Sequence, residues 1–200
     1  APSIDQQIEI LHLMEDLGID TVNIGLPGAG PHVLKNVIRL AEEIRDCKMK
    51  ITANCAARTL RADIDPILEA QETTGVKITA ATFIGSSPIR QYAEDWTLDK
   101  LLQHTENAVK YAVDRGLDVM YVTEDTTRAA PEDIRKLYTT AIECGARKLV
   151  ICDTCGHATP NGAGQLIRFV RRVAEDTKVP GITLEWHGHQ DRGLGLANCI

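Results

Sequence analysis

His187 and His189 stand two residues apart at the end of an apolar run and open the segment His187-Gly188-His189-Gln190-Asp191-Arg192-Gly193. Side chains on a strand alternate faces, so positions i and i+2 project to one side and both imidazoles can reach a single cation. Neutral imidazole nitrogens suit Zn, Mn or a similar divalent ion and leave coordination positions open for a substrate. The preceding Gly181-Ile182-Thr183-Leu184-Glu185-Trp186 reads as a buried strand, and Asp191 with Gly193 turns the chain toward a helix beginning near Leu194. For an isolated pair of this kind, two surface histidines at a strand end are the competing explanation.

The elements that position this pair repeat along the chain. Strand-like runs fall at residues 21–26, 50–54, 76–83, 118–123, 148–152 and 181–187, each with a helix-like segment after it. Such alternation predicts a parallel sheet covered by helices. Ser3 with Gln6 makes a capping box before the stripe Ile4, Ile8 and Leu11, and Pro31, Pro131 and Pro160 sit where first-turn prolines belong. Leu98, Leu101, Leu102, Thr105, Ala108, Val109 and Ala112 trace one apolar helix face. His12 and His104 fall inside helices and His32 at a helix start, which marks them as solvated or packing residues rather than ligands.

Strand after strand is accompanied by polar residues: Asn23 in the first, Asn54 and Arg58 after the second, Ser86 and Ser87 after the third. Glu124 and Asp125 follow the fourth, Asp153 and Thr154 the fifth, and the two histidines lie at the sixth. Convergence of chemistry from the C-terminal ends of consecutive strands predicts a (β/α)8 barrel. An open doubly wound sheet would concentrate its site at one switch point, and the Gly-rich turn Leu26-Pro27-Gly28-Ala29-Gly30-Pro31 lacks the GxGxxG spacing of a dinucleotide loop. Six strand-helix units stand where a complete barrel has eight.

Composition places the chain among ordinary soluble domains. Its 200 residues can bury a full core as one domain, residues 1–200, and a net charge of −6 with no concentration of Lys and Arg argues against a nucleic-acid partner. No long apolar run or signal-peptide pattern supports a membrane or secretory reading, so a cytoplasmic location is expected. The six cysteines are scattered through strand-like and helix-like segments, as reduced thiols are. Cys152-x-x-Cys155 straddles a strand end, whereas a redox pair wants its first cysteine at a helix N-terminus.

Five motifs carry a resemblance over essentially the whole chain. Ile24-Gly25-Leu26-Pro27, Thr82-Phe83-Ile84-Gly85-Ser86-Ser87-Pro88, Glu124-Asp125-Thr126-Thr127-Arg128, Asp153-Thr154-Cys155-Gly156-His157-Ala158-Thr159-Pro160 and the closing HxHxDxGLGLAN resemble, in order and spacing, the 2-isopropylmalate, citramalate and homocitrate synthase family. The resemblance implies a catalytic barrel that condenses an acyl-CoA, usually acetyl-CoA, with a 2-oxoacid and then hydrolyses the thioester. It also implies a divalent cation (Zn, Mn or Mg) at the C-terminal mouth, a homodimer, and a place in amino-acid biosynthesis of the leucine type. Family members carry a metal-binding aspartate and a catalytic arginine after the first strand and a further ligand after the eighth. This chain starts after the one and stops before the other, so the first and last strands are absent and a fragment of a longer enzyme, inactive alone, is expected.

On that resemblance His187 and His189 hold the metal, and Asp191 supports them by partnering the other ring nitrogen. Glu124 positions or activates the acyl-CoA, and Thr154 offers its hydroxyl to the oxoacid carboxylate. The plainer alternatives are a helix cap for Thr154 and a salt bridge to Arg128 for Glu124. Gln190 replaces the usual Asn or Asp at a position that alternates away from the metal, where the change touches packing. The substrate pocket departs from the 2-isopropylmalate synthase pattern: Asn23 stands for a glutamate, Ala81 for a histidine and Val122 for a serine. Met120 replaces the arginine with which homocitrate synthases bind a distal carboxylate, which favours a small or apolar 2-oxoacid. Two other readings remain: a lyase of the same barrel superfamily that cleaves a 3-hydroxy-3-methylglutaryl-type thioester, and a degenerate barrel that binds without turnover. The EDxxR and DTxG wording favours the synthase.

Overall fold

The computed structural model describes residues 2–200. The elements run α1 (Ile4–Asp16), β1 (Thr21–Asn23), α2 (Pro31–Asp46), β2 (Thr52–Arg58), α3 (Arg61–Thr74), β3 (Ile78–Gly85), α4 (Pro88–Glu94) and α5 (Leu98–Asp114). They continue with β4 (Val119–Glu124), α6 (Pro131–Glu143), β5 (Lys148–Asp153), α7 (Pro160–Asp176), β6 (Thr183–Gly188) and α8 (Gly195–Cys199). All six strands are parallel and adjacent in chain order, β1 to β6, and the sheet curls into part of a barrel with helices between the strands. Each parallel neighbour is reached through a helical crossover, the connection that parallel pairing requires.

The helix ends form as the sequence predicts. Ser3 Oγ accepts from the Gln6 N–H while Gln6 Oε1 accepts from the Ser3 N–H, closing the capping box of α1. Ser87, Thr97 and Thr159 cap α4, α5 and α7, and Pro31, Pro131 and Pro160 occupy the first turns of α2, α6 and α7. α5 buries Leu101, Thr105, Ala108, Val109 and Ala112, the stripe read from the sequence. His104 is a packing residue, stacked on Trp96 at 5.0 Å. His12 joins two helices, its Nε2 lying 2.8 Å from Glu43 Oε1 on α2.

The strands match the expected runs to within two residues at each end except for β1 and β2. β1 stops at Asn23 because the chain beyond it leaves regular pairing: Gly25 adopts φ 144° and a 3-10 turn begins at Pro27. β2 runs through Arg58, so Asn54 lies within the strand rather than beyond it, and Arg58 turns outward to a bidentate pair with Asp63.

Strand alternation separates two apolar regions. The outer face of the sheet, with Cys55, Ile78, Ile84, Val119, Tyr121, Leu149 and Ile151, packs under the helices in one continuous core. The inner face holds a separate small cluster of Ala81, Met120, Val150 and Cys152, with Val122 against it. Register carries this inner face across the sheet: Ala81 pairs with Met120, Phe83 with Val122, Val122 with Val150, and Cys152 with His187.

Candidate active site

The inner face opens at the C-terminal ends of the strands into a cavity of ≈ 510 Å³. Its wall includes Asn23, Val122, Glu124, Thr154, His187 and His189, so one mouth gathers every sequence-predicted site residue but Asp191. That volume is of the size that accommodates small organic ligands. Its floor is the apolar inner cluster, and Asn54, Ala56, Phe83, Glu185 and Trp186 complete the lining.

β6 delivers the histidines as its alternation predicts. His187 Nε2 and His189 Nε2 lie 3.2 Å apart with the rings tilted by 43°. Two nitrogens each bonded at about 2.0–2.1 Å to one ion are ~3.0–3.4 Å apart, so the pair has the bite of a divalent-metal site. Loss of hydration at the cavity wall, and then the neighbouring His189, hold His187 below the ordinary histidine range, which keeps its nitrogen free to donate. Asp191 is close but not bonded: its Oδ2 stands 3.9 Å from His189 Nδ1, beyond hydrogen-bond length. Gln190 has the packing role expected of it, accepting the Gly195 N–H at the start of α8.

The loop after β5 is built around Asp153, which is fully buried and accepts from the His157 N–H at 3.1 Å, the Ala158 N–H at 2.9 Å and the Thr127 hydroxyl at 3.1 Å. Gly156 passes directly beneath the histidine segment at φ 58°, and a Cβ there would sit 2.9 Å from both the His189 carbonyl oxygen and the Asp191 nitrogen. Only glycine fits this crossing, which ties the DTxG loop to the HxHxD loop. Thr154 does not cap a helix. Its Oγ accepts the Asp125 N–H at 2.8 Å, which leaves its own O–H free to donate into the cavity.

After β4 the structure overturns one alternative. Arg128 does not pair with Glu124; it makes a bidentate contact with Asp125, Nε at 2.8 Å and Nη2 at 2.6 Å. Burial is the largest influence on Asp125 and raises its carboxyl, but hydrogen bonds from Arg128 and Ser87 and the adjacent positive charge outweigh it and bring it below its usual value. Asp125 thereby fixes the loop in a left-handed turn at φ 60°, and Glu124 is left at the cavity wall. The partner of Glu124 is Arg90 from α4, whose Nη2 lies 3.5 Å from Oε2. Arg90 reaches it by crossing Gly85, the register partner of Glu124, where an added Cβ would lie 2.7 Å from the arginine Nε.

Sequence reasoning missed Glu185, Arg90 and Trp186 as site residues. Glu185 was detectable, because it lies two residues before His187 and shares its face. Trp186 was not, since alternation turns it to the outer face, yet it reaches the cavity edge with its Nε1 buried and without a partner among the described residues. Arg90 depends on a five-residue excursion after β3 that spacing alone does not place.

A family model described as HMGL-like matches residues 1–200. A 2-isopropylmalate synthase from Sediminispirochaeta smaragdinae is 29% identical over 99% of this chain and 38% of its own length. A homocitrate synthase AksA from Methanopyrus kandleri is 32% identical over 98% of this chain and 46% of its own. The chain therefore spans less than half the length of these curated relatives. Among solved structures, an HMG-CoA lyase from Bacillus subtilis superposes with a TM-score of 0.74 over 99% of this chain and 65% of the lyase at 19% identity, a likeness of fold.

Proposed function

Starting from the fact that the chain belongs to the HMGL-like family, we propose that the whole protein is an acyl-CoA:2-oxoacid C-acyltransferase of the 2-isopropylmalate synthase type. In that reaction acetyl-CoA condenses with a 2-oxoacid and the thioester is hydrolysed. The observation that carries the proposal is the meeting of the His187–His189 pair, Glu124 and Thr154 at one mouth cavity, each from a different strand end.

His187 and His189 would hold a divalent ion, Zn, Mn or Mg, with further ligands from outside this chain or from substrate. When bound, such an ion supplies Lewis-acid polarisation of the oxoacid carbonyl. The Thr154 hydroxyl, oriented by the Asp125 N–H, donates to the oxoacid carboxylate. Glu124 accepts the proton that leaves the carbon next to the thioester, and Arg90 fixes the position of that carboxylate. The apolar floor of Ala81, Met120, Val122 and Val150 receives the acceptor's side chain and excludes water around it. Glu185 on the same wall repels a distal carboxylate, so the acceptor is a small or apolar 2-oxoacid such as pyruvate or 2-oxoisovalerate rather than 2-oxoglutarate. The assembly is a homodimer in the cytoplasm; among the described residues no helix is long and apolar enough to cross a membrane.

Thiol detection on the full-length protein tests this. Free CoA is expected from acetyl-CoA only when a 2-oxoacid is supplied, with pyruvate or 2-oxoisovalerate above 2-oxoglutarate. Release without an acceptor would make the protein a thioesterase, cleavage of a 3-hydroxy-3-methylglutaryl-type thioester would make it a lyase, and binding without turnover would leave a degenerate barrel.

A further inference from the structure

On the outer surface, between α1 and α2, three potential ligands meet at one oxygen. His12 Nε2 lies 2.8 Å from Glu43 Oε1, and the Cys47 thiol donates to the same oxygen at 3.3 Å. All three donor atoms fall within 4.8 Å of one another. Glu43 and Cys47 are four residues apart, one turn along α2 and onto its C-cap, so they share a face, and His12 approaches from α1. The other carboxylate oxygen, Oε2, is engaged by Arg39 at 2.8 Å, which sets the orientation of the carboxylate and leaves Oε1 for the other two groups.

We propose that His12, Glu43 and Cys47 form a Zn2+ site that clips α1 to α2. Nitrogen, oxygen and thiolate donors are the set that Zn2+ takes, and donors bonded to one tetrahedral ion lie ~3.3–3.8 Å apart. The present separations need adjustments of about an ångström or less in side chains of which His12 and Cys47 are exposed to solvent. On binding, the Cys47 thiol releases its proton to solvent and its sulfur bonds the ion. Glu43 gives Oε1, and His12 binds through Nε2 with its own proton at Nδ1. One proton leaves per ion, no oxidation state changes, and water fills the fourth position.

α1 has reason to be clipped. Its fully buried side chain is Leu11, while Ile10, Leu13 and Leu17 are exposed. Its C-terminal end is fixed by Glu15, which accepts the Lys50 and Ile51 N–H groups, and the His12 cluster lies one turn earlier, adding a second cross-link. This site is independent of the proposed condensation reaction, because it lies behind the sheet from the cavity and shares no residue with it.

Titration of the reduced full-length protein with Co2+, a spectroscopic stand-in for Zn2+, tests the clip. A thiolate-to-cobalt absorption in the near ultraviolet is expected to saturate by two equivalents in wild type and at one equivalent in the His187→Ala/His189→Ala variant, and to be displaced by Zn2+. It should vanish in Cys47→Ser, weaken at least tenfold in affinity in His12→Gln, and persist in the His187→Ala/His189→Ala variant. Circular dichroism establishes that each variant is folded, and exposure of both substituted side chains makes folding the expected state. A band that survives Cys47→Ser, or folded wild-type protein that takes up Co2+ with no thiolate band, would overturn the proposal.

Discussion

Replacing Arg128 with glutamine removes the guanidinium that neutralises Asp125, and the cost follows from geometry. The Asp125 side chain is 2% exposed and loses two charge-assisted hydrogen bonds of 2.6 and 2.8 Å. Stranding a fully buried charge costs about 3–5 kcal/mol, and a hydrogen bond to a charged group is worth about 1.5–3 kcal/mol. Arg128 itself is 36% exposed, so water reaches the gap, and the Ser87 hydroxyl remains; the expected loss is about 2 kcal/mol. Urea unfolding of wild type, Arg128→Gln, Asp125→Asn and the double variant measures it, with the double variant about 1 kcal/mol or more better than the sum of the singles. The sign of the pH effect is fixed as well. Asp125 is depressed in the folded protein, so its contribution is present above the unfolded carboxylate value and is lost as pH falls through the folded one. Wild type should therefore lose its advantage over Arg128→Gln below about pH 4. A loss under about 0.5 kcal/mol at neutral pH, or strict additivity in the cycle, would refute the assignment of Asp125 as the charge that fixes this loop.

Glu124→Gln should retain fold and metal content yet lower kcat by roughly two to four orders of magnitude, and near-wild-type turnover would remove Glu124 from the chemistry. Metal analysis of the full-length protein should show one divalent ion fewer per chain in His187→Ala/His189→Ala than in wild type; equal content would sink the ligand assignment. Gly156→Ala forces a side chain into a left-handed turn against the His189 carbonyl, so a loss of about 2 kcal/mol in unfolding and weaker metal retention are expected, against which wild-type behaviour would count.

The sequence made the parallel fold and the same-face histidine pair legible for one reason: both depend on short-range periodicity. Alternation along 183–188 fixes the side of the sheet on which His187 and His189 emerge, and β6 carries them there. First-turn prolines and capping hydroxyls fixed helix starts in the same local way. What escaped was decided by choice among charged partners. Arg128 has Glu124 and Asp125 as near neighbours, and spacing does not say which carboxylate it takes. It takes Asp125, in a left-handed turn whose N–H is also held by Thr154 from the next strand end, a contact that spacing does not show. Arg90 and the His12 cluster were illegible for a related reason, since each joins residues from elements whose distance is set only by packing.

The apolar side chains of the cavity floor form a cluster apart from the continuous core under the helices. Exchanges at Ala81, Met120, Val122 or Val150 therefore reshape the ligand's surroundings without opening voids among Tyr121, Tyr138, Leu137 and their neighbours, where truncation costs about 2–5 kcal/mol. Selection on the cavity can thus move along the inner face while the outer layer holds the fold above its stability threshold. A lineage using this scaffold can try pocket variants one at a time, each remaining a folded protein on which the next change can act.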